Sequence, residues 1–195
     1  MSLPRPLYLA LFPLLTACQY LPHAPLFTPP ENEPNPAWIR IVDYTQHAEI
    51  FQYANGTRTG GSIRRGQLPF IHTQDMGMPK AGQDLTFDFY ETPVHPGLET
   101  DVHMSWEGDR TQFCFVTAKF TPKAGHYYQF TLSAGYNRET CTMYPTLVER
   151  DAQGDGWHLT PNPDVTYPHG SNQGKTIYGN EQYRDPNYKG FQPGI

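Results

Sequence analysis

From Ala37 to about Thr160, apolar and polar residues alternate at a period of two. No stretch of about twelve residues carries the three-and-four spacing of an amphipathic helix, so the pattern predicts strands. Ile39 and Ile41 share one face of a strand over residues 38–44, and a second run, 48–53, stops at the turn dipeptide Asn55-Gly56; together they predict a hairpin with a further turn beyond it. Residues 68–73 form a weaker run. Over residues 85–91 the alternation is cleanest, with Leu85, Phe87 and Phe89 set against Thr86, Asp88 and Tyr90. Val102, Met104 and Trp106 alternate with His103 and Ser105 in a further short strand.

Three runs follow at regular spacing, 112–120, 126–134 and 141–150, and they predict a three-stranded meander. In its middle strand Tyr128, Phe130 and Leu132 face one way. Cys114 has the parity of Val116, Ala118 and Phe120, and Cys141 that of Met143 and Leu147, so both cysteines are expected to face the core. Pro145 lacks the N–H a ladder needs and predicts an edge or a bulge in the third strand. A turn at Gln153-Gly154-Asp155-Gly156 returns the chain through 157–160. Seven to nine short strands at this spacing predict an all-β domain, an antiparallel β-sandwich of immunoglobulin-like or transthyretin-like type.

The flanks read differently. Residues 1–17 hold one positive charge, Arg5, and an apolar run over 7–15 of about nine residues, less than half of the roughly 20 needed to span a bilayer. The run ends in Leu15-Thr16-Ala17-Cys18. This tetrapeptide resembles the lipobox of bacterial lipoproteins, which implies cleavage of residues 1–17 as a signal peptide and lipidation of Cys18. Several acyl chains hold a protein firmly on a bilayer, whereas one binds reversibly. By the same resemblance Gln19, standing where Asp would favour retention at the inner membrane, implies the outer membrane, with the domain facing the periplasm. Residues 18–36 contain Pro22, Pro25, Pro29, Pro30, Pro34 and Pro36 and are expected to be an extended linker reaching some 50 Å in polyproline geometry. Residues 37–160 are the expected sandwich domain, and 161–195, poor in aliphatic residues, an irregular or disordered tail.

With Cys18 lipidated, Cys114 and Cys141 are the thiols left, and an oxidising compartment predicts their pairing. The loop so closed, about 27 residues, is worth on the order of 3 kcal/mol in the chain-entropy account. The segment Phe120-Thr121-Pro122-Lys123-Ala124-Gly125-His126-Tyr127-Tyr128, followed by a Cys-containing strand, is similar to one in an uncharacterised group of small β-sandwich lipoproteins. That likeness implies a turn built on Pro122 and Gly125 and brings no activity with it.

Composition narrows the function without naming one. The chain has 195 residues, a net charge of −5, 37% hydrophobic and 17% charged residues, which fits neither a disordered chain nor a membrane bundle. Its mild acidity argues against nucleic acid as a partner. A Gly-x-Ser-x-Gly elbow is lacking, and Gly60-Gly61 with Arg64-Arg65 reads as a solvated turn without a P-loop Lys. Of the eight His, His72 with Asp75 and His95 with His103 are the least poor metal pairs, yet none has the His-x-x-x-His spacing. Asp151 and Asp155-Gly156 read as a hairpin turn rather than a calcium loop. Asp84, Asp88, Glu91, Glu99 and Asp101 read as a solvated strand face, and Trp38, Trp106 and Trp157 as packing. The expectation is therefore no catalytic residues, no metal and no cofactor. A non-catalytic binding or assembly role follows, with the bilayer as partner through the Cys18 acyl chains and an envelope protein as the other. The alternatives are a metal-dependent ligand binder or envelope enzyme using loop His and Asp residues, and a periplasmic inhibitor or immunity-like protein.

Overall fold

A computed structural model describes residues 25–42, 47–63, 73–81, 88–107, 113–134 and 140–176. Among them there are ten strands and no helix: β1 (Ala37–Val42), β2 (His47–Ala54), β3 (Thr57–Ser62), β4 (Phe89–Val94), β5 (Glu99–Glu107), β6 (Phe113–Phe120), β7 (Tyr127–Ser133), β8 (Thr140–Arg150), β9 (Trp157–Pro161) and the two-residue β10 (Lys175–Thr176). One sheet has the order β10-β8-β7-β1-β4, with β9 also on β8, and the other the order β3-β2-β5-β6. All neighbours are antiparallel except β1 and β7, which run parallel with Ile39 opposite Tyr128 and Ile41 opposite Phe130. The two sheets enclose one apolar core, in which Ile39, Ile41, Ile50, Val102, Met104, Val116, Phe130 and Leu132 are almost wholly buried. The fold is the expected β-sandwich.

Several expected pairings are not those of the structure. β1 and β2 form no hairpin; they lie in opposite sheets, and the hairpin is β2 with β3, a strand whose sequence Thr-Arg-Thr-Gly-Gly-Ser has no apolar residue. Asn55 and Gly56, with φ of 51° and 77°, make its tight turn, the conformation that favours this dipeptide between strands. Gly60 and Gly61 belong to β3 rather than to a solvated turn, and Arg64-Arg65 lies outside the described residues. The meander is also divided: β7 pairs with β8, whereas β6 pairs with β5 in the other sheet, so residues 121–126 carry the chain across the sandwich. Alternation specifies which face of a strand is apolar and is equally satisfied by a neighbour beside it or a sheet opposite it.

The division of the two strands has a covalent consequence. Cys114 of β6 and Cys141 of β8 are bonded across the core, with Cα atoms 5.3 Å apart and a separation of 27 positions in sequence. Pro145 of β8 lies opposite Phe130 of β7, and its carbonyl accepts a hydrogen bond from Asn162 N at 3.0 Å. Because the carbonyl and nitrogen of one residue point to the same side of a strand, the missing N–H faces away from β7, where β8 is locally an edge.

The folded unit also exceeds the expected 37–160. Ser62 N donates to Pro25 O and Phe27 N to Ser62 O, both at 2.8 Å, so residues 25–27 of the expected linker lie along β3, and Phe27 is buried in the core. On the other side, Thr166 and Lys119 exchange backbone hydrogen bonds of 2.9 Å, Asn172 N donates to Phe115 O at 2.8 Å, and the Gln173 amide takes both Met143 N and Met143 O. Edge strands present unpaired backbone groups, and these irregular segments satisfy them. Most of these bonds come from backbone, and single side chains such as Phe27 and Gln173 carry no periodicity, so the segments left no mark in the pattern.

Outside the core, the six-stranded sheet buries a charge pair. Arg40 of β1 and Glu91 of β4 are opposite each other in register, both wholly buried, and Arg40 Nη2 stands 2.6 Å from Glu91 Oε1. Arg40 also reaches Gln129 Oε1 at 3.2 Å and the carbonyls of Met78 and Pro79, while Glu91 Oε2 accepts the amides of Met76 and Met78. Residues 73–81 thus form a strap over this face. Phe89 shares the face, with the Arg40 guanidinium 5.4 Å from its ring centroid, whereas Tyr90 and Val94 turn to the core. The expected orientation of the 85–91 run is therefore reversed at Phe89, and Glu91 is not on a solvated face; Leu85 and Phe87 lie outside the described residues.

Candidate functional site

The outer face of the four-stranded sheet gathers ionisable side chains without such a strap among the described residues. Since Ala48, Ile50, Val102, Met104, Val116 and Ala118 point into the core, the alternate residues Glu49, Phe51, Tyr53, Asp101, His103, Phe115, Thr117 and Lys119 point outward. Register puts Glu49, His103 and Thr117 in one row across β2, β5 and β6, and Phe51, Asp101 and Lys119 in the next. Directly opposite side chains on a sheet are about 5 Å apart, so the rows form one patch.

Asp101 is its centre. The Tyr53 hydroxyl donates to Asp101 Oδ2 at 2.8 Å, His103 Nε2 stands 3.8 Å from the same oxygen, and Lys119 Nζ stands 3.8 Å from Oδ1 while bonding Glu99 at 2.9 Å. The Asp101 side chain is 8% exposed and that of His103 17%, yet among the described residues neither Asp101 Oδ1 nor His103 Nε2 has a hydrogen-bond partner. Burial alone pushes the Asp101 carboxyl up, but His103, the Tyr53 hydroxyl and the Lys119 charge outweigh it and hold the group below its ordinary value. Glu49 goes the other way: desolvation raises it, against the opposing pull of His103, Arg58 and His47. Burial and the hydrogen bond to Asp101 keep the Tyr53 hydroxyl protonated to higher pH than usual.

Aromatic rings frame the polar centre. His103 meets Phe51 and Phe115 edge-on, at centroid distances of 5.3 and 5.7 Å, and Phe113 stacks on Phe115 at 6.3 Å. The Arg58 guanidinium lies 3.4 Å from the Phe51 centroid and Lys119 Nζ 5.3 Å from that of Tyr53. A face of this kind suits a ligand that offers hydrogen-bonding groups to Asp101 and His103 and apolar surface to the rings.

The residues singled out by sequence are dispersed. Cys18 and His72 lie outside the described residues. His95 bonds Glu33 at 3.0 Å near the β4 to β5 turn, whereas His103 lies within β5, and the two do not form a ligand pair. Asp75 caps its own turn through Gly77 N and pairs with Lys80 at 2.8 Å, which holds its carboxyl below the ordinary range. Asp151 closes the β8 to β9 hairpin through Gly156 O and Gly154 N and bonds His158 at 2.6 Å. Trp157 packs edge-on against Tyr127 at 5.8 Å. Among the described residues no group of three His, Cys, Asp or Glu side chains is set to hold a metal ion. The sequence pattern marks His103 but not its surroundings: a neighbouring strand brings Glu49 opposite it and Tyr53 to Asp101, and Asp101 itself has the pattern of a solvated strand acid. The i, i+2 pair Asp101 and His103 was the available sign.

Comparison of the chain with family models, with curated proteins and with solved structures finds no match.

Proposed function

We propose that this chain is an outer-membrane lipoprotein whose sandwich domain serves in the periplasm as a non-catalytic binding or assembly module. Cys18 is its anchor, and the outer face of β2, β5 and β6 is its contact surface. The observation that carries the reading is the buried bond between Cys114 and Cys141, which joins the two sheets. Structural disulfides of this kind persist in oxidising compartments, which agrees with the envelope destination implied by Leu15-Thr16-Ala17-Cys18. Cys18→Ala is expected to move the protein from the membrane fraction to the soluble one; persistent membrane fractionation of that variant overturns the anchor.

A ligand binder is the second reading, favoured by the unfilled hydrogen-bonding capacity of Asp101 Oδ1 and His103 Nε2. Native mass spectrometry of protein extracted from its own envelope separates the two. A co-purifying protein in stoichiometric amount supports the assembly role, and a small molecule or metal lost in His103→Ala supports the ligand binder.

A further inference from the structure

We infer that the hydrogen bonds between residues 25–27 and β3 set the reach of the lipid anchor and hold the domain close to the bilayer. This inference rests on the lipidation of Cys18. As a free linker, residues 18–36 would let the domain stand some 50 Å from the membrane. The structure removes about half of that length. Ser62 N donates to Pro25 O and Phe27 N to Ser62 O, each at 2.8 Å, so residues 25–27 make a parallel bridge, Leu26 with Ser62, at the edge of the four-stranded sheet.

Two features make the attachment specific. Phe27 is 8% exposed and belongs to the core, so releasing the segment would expose a large apolar side chain. Gly61 has its Cα against the Pro25 carbonyl, and a Cβ built there would run into that oxygen. The glycine is thus the space into which the segment fits. Adjacent Gly60 is required for a different reason, since its Cβ would strike the Ile50 carbonyl within the sheet.

The chain between the anchor and the attachment is then residues 18–24. Seven residue steps span at most about 25 Å however they run. The β3 edge therefore stays within that distance of the lipid headgroups. Without the attachment the next contacts along the chain are those of Glu33 with His95 and of Pro36 O with Gly125 N, and with about fifteen steps from Cys18 to Glu33 the reach roughly doubles.

The test is neutron reflectometry of the acylated full-length protein on a supported bilayer of phosphatidylethanolamine and phosphatidylglycerol, which reads the water gap between lipid and protein. The wild type is expected to show a gap of no more than about 25 Å. Gly61→Val is expected to widen it, and so is an insertion of about ten Gly and Ser residues between residues 24 and 25, by as much as about 35 Å. The insertion leaves the domain untouched and keeps the test open if Gly61→Val does not fold. In parallel, hydrogen exchange on soluble Cys18→Ala protein is expected to show a protected Phe27 amide, with protection lost in Gly61→Val. A gap above about 25 Å in the wild type, a gap unchanged by the insertion, or an unprotected Phe27 amide overturns the inference while leaving the lipid anchor standing. Absence of acyl mass on Cys18 defeats the anchor and the inference together, with Phe27 protection then reporting a purely structural strand.

Discussion

The outer faces of the two sheets handle buried charge in opposite ways. On the six-stranded sheet, Arg40 and Glu91 are wholly enclosed, and Gln129 together with the backbone of residues 76–79 takes up bonds the pair leaves open. On the four-stranded sheet, Asp101 and His103 are largely enclosed, yet one atom of each has no hydrogen-bond partner among the described residues. A completed network over-determines its surroundings, and here it fastens the 73–81 strap across β1 and β4. An incomplete one retains capacity for an incoming group. Both groups stand at outward positions of paired strands, but Arg40 and Glu91 are wholly enclosed whereas the side chains of Asp101 and His103 are 8% and 17% exposed, so enclosure together with completed hydrogen bonds separates scaffold from candidate contact surface.

The largest expected effect is on the completed face. Arg40→Met leaves Glu91 buried without its cation and is expected to cost about 3–5 kcal/mol of stability. The double replacement Arg40→Met with Glu91→Leu is expected to recover most of that, since apolar pairs often replace buried ion pairs at little cost. Urea denaturation checks both, and an additive double mutant would show that the two side chains do not act as a unit. Next in size, Cys141→Ser removes the bond between the sheets and is expected to cost about 2–5 kcal/mol by the same measurement.

On the incomplete face the effects are smaller. Tyr53→Phe removes one hydrogen bond to the Asp101 carboxylate from a part-buried hydroxyl and is expected to cost about 1–2 kcal/mol. Asp101→Asn and Glu49→Gln are expected to act with opposite signs. The Asp101 carboxyl is held below its ordinary 3.8, so its ionised form stabilises the fold above that value, and the contribution is lost as pH falls through the folded-state value. Asp101→Asn therefore destabilises at neutral pH, and its cost shrinks in acid. Glu49 is raised above 4.5, so its contribution is fully present below 4.5 and lost as pH rises through the folded-state value. Glu49→Gln is then slightly stabilising at neutral pH, a gain that disappears in acid. Denaturation midpoints against pH for the two variants check this, and parallel curves would remove the electrostatic contrast between neighbours on one face.

Much of the sandwich was legible in the amino-acid order because period two reports which side of a strand meets the core. Tyr128, Phe130 and Leu132 are buried together, Cys114 and Cys141 face inward, and Asn55-Gly56 turns a hairpin, all local properties of a few consecutive residues. Partners across the fold were not legible. The separation of β1 from β2 and of β6 from β7, and the parallel pairing of β1 with β7, depend on which edges meet once the chain collapses, and alternation is indifferent to that. Glu91 looks like any strand acid until a strap 13 to 15 residues away in sequence supplies Met76 N and Met78 N. The attachment of Pro25 to β3 likewise rests on backbone hydrogen bonds, and on a burial site for Phe27 and a space at Gly61 that meet only in the fold. Side-chain periodicity encodes faces, whereas the enclosure of a charge and the covering of an edge are made by distant backbone, and folding alone brings that backbone into place.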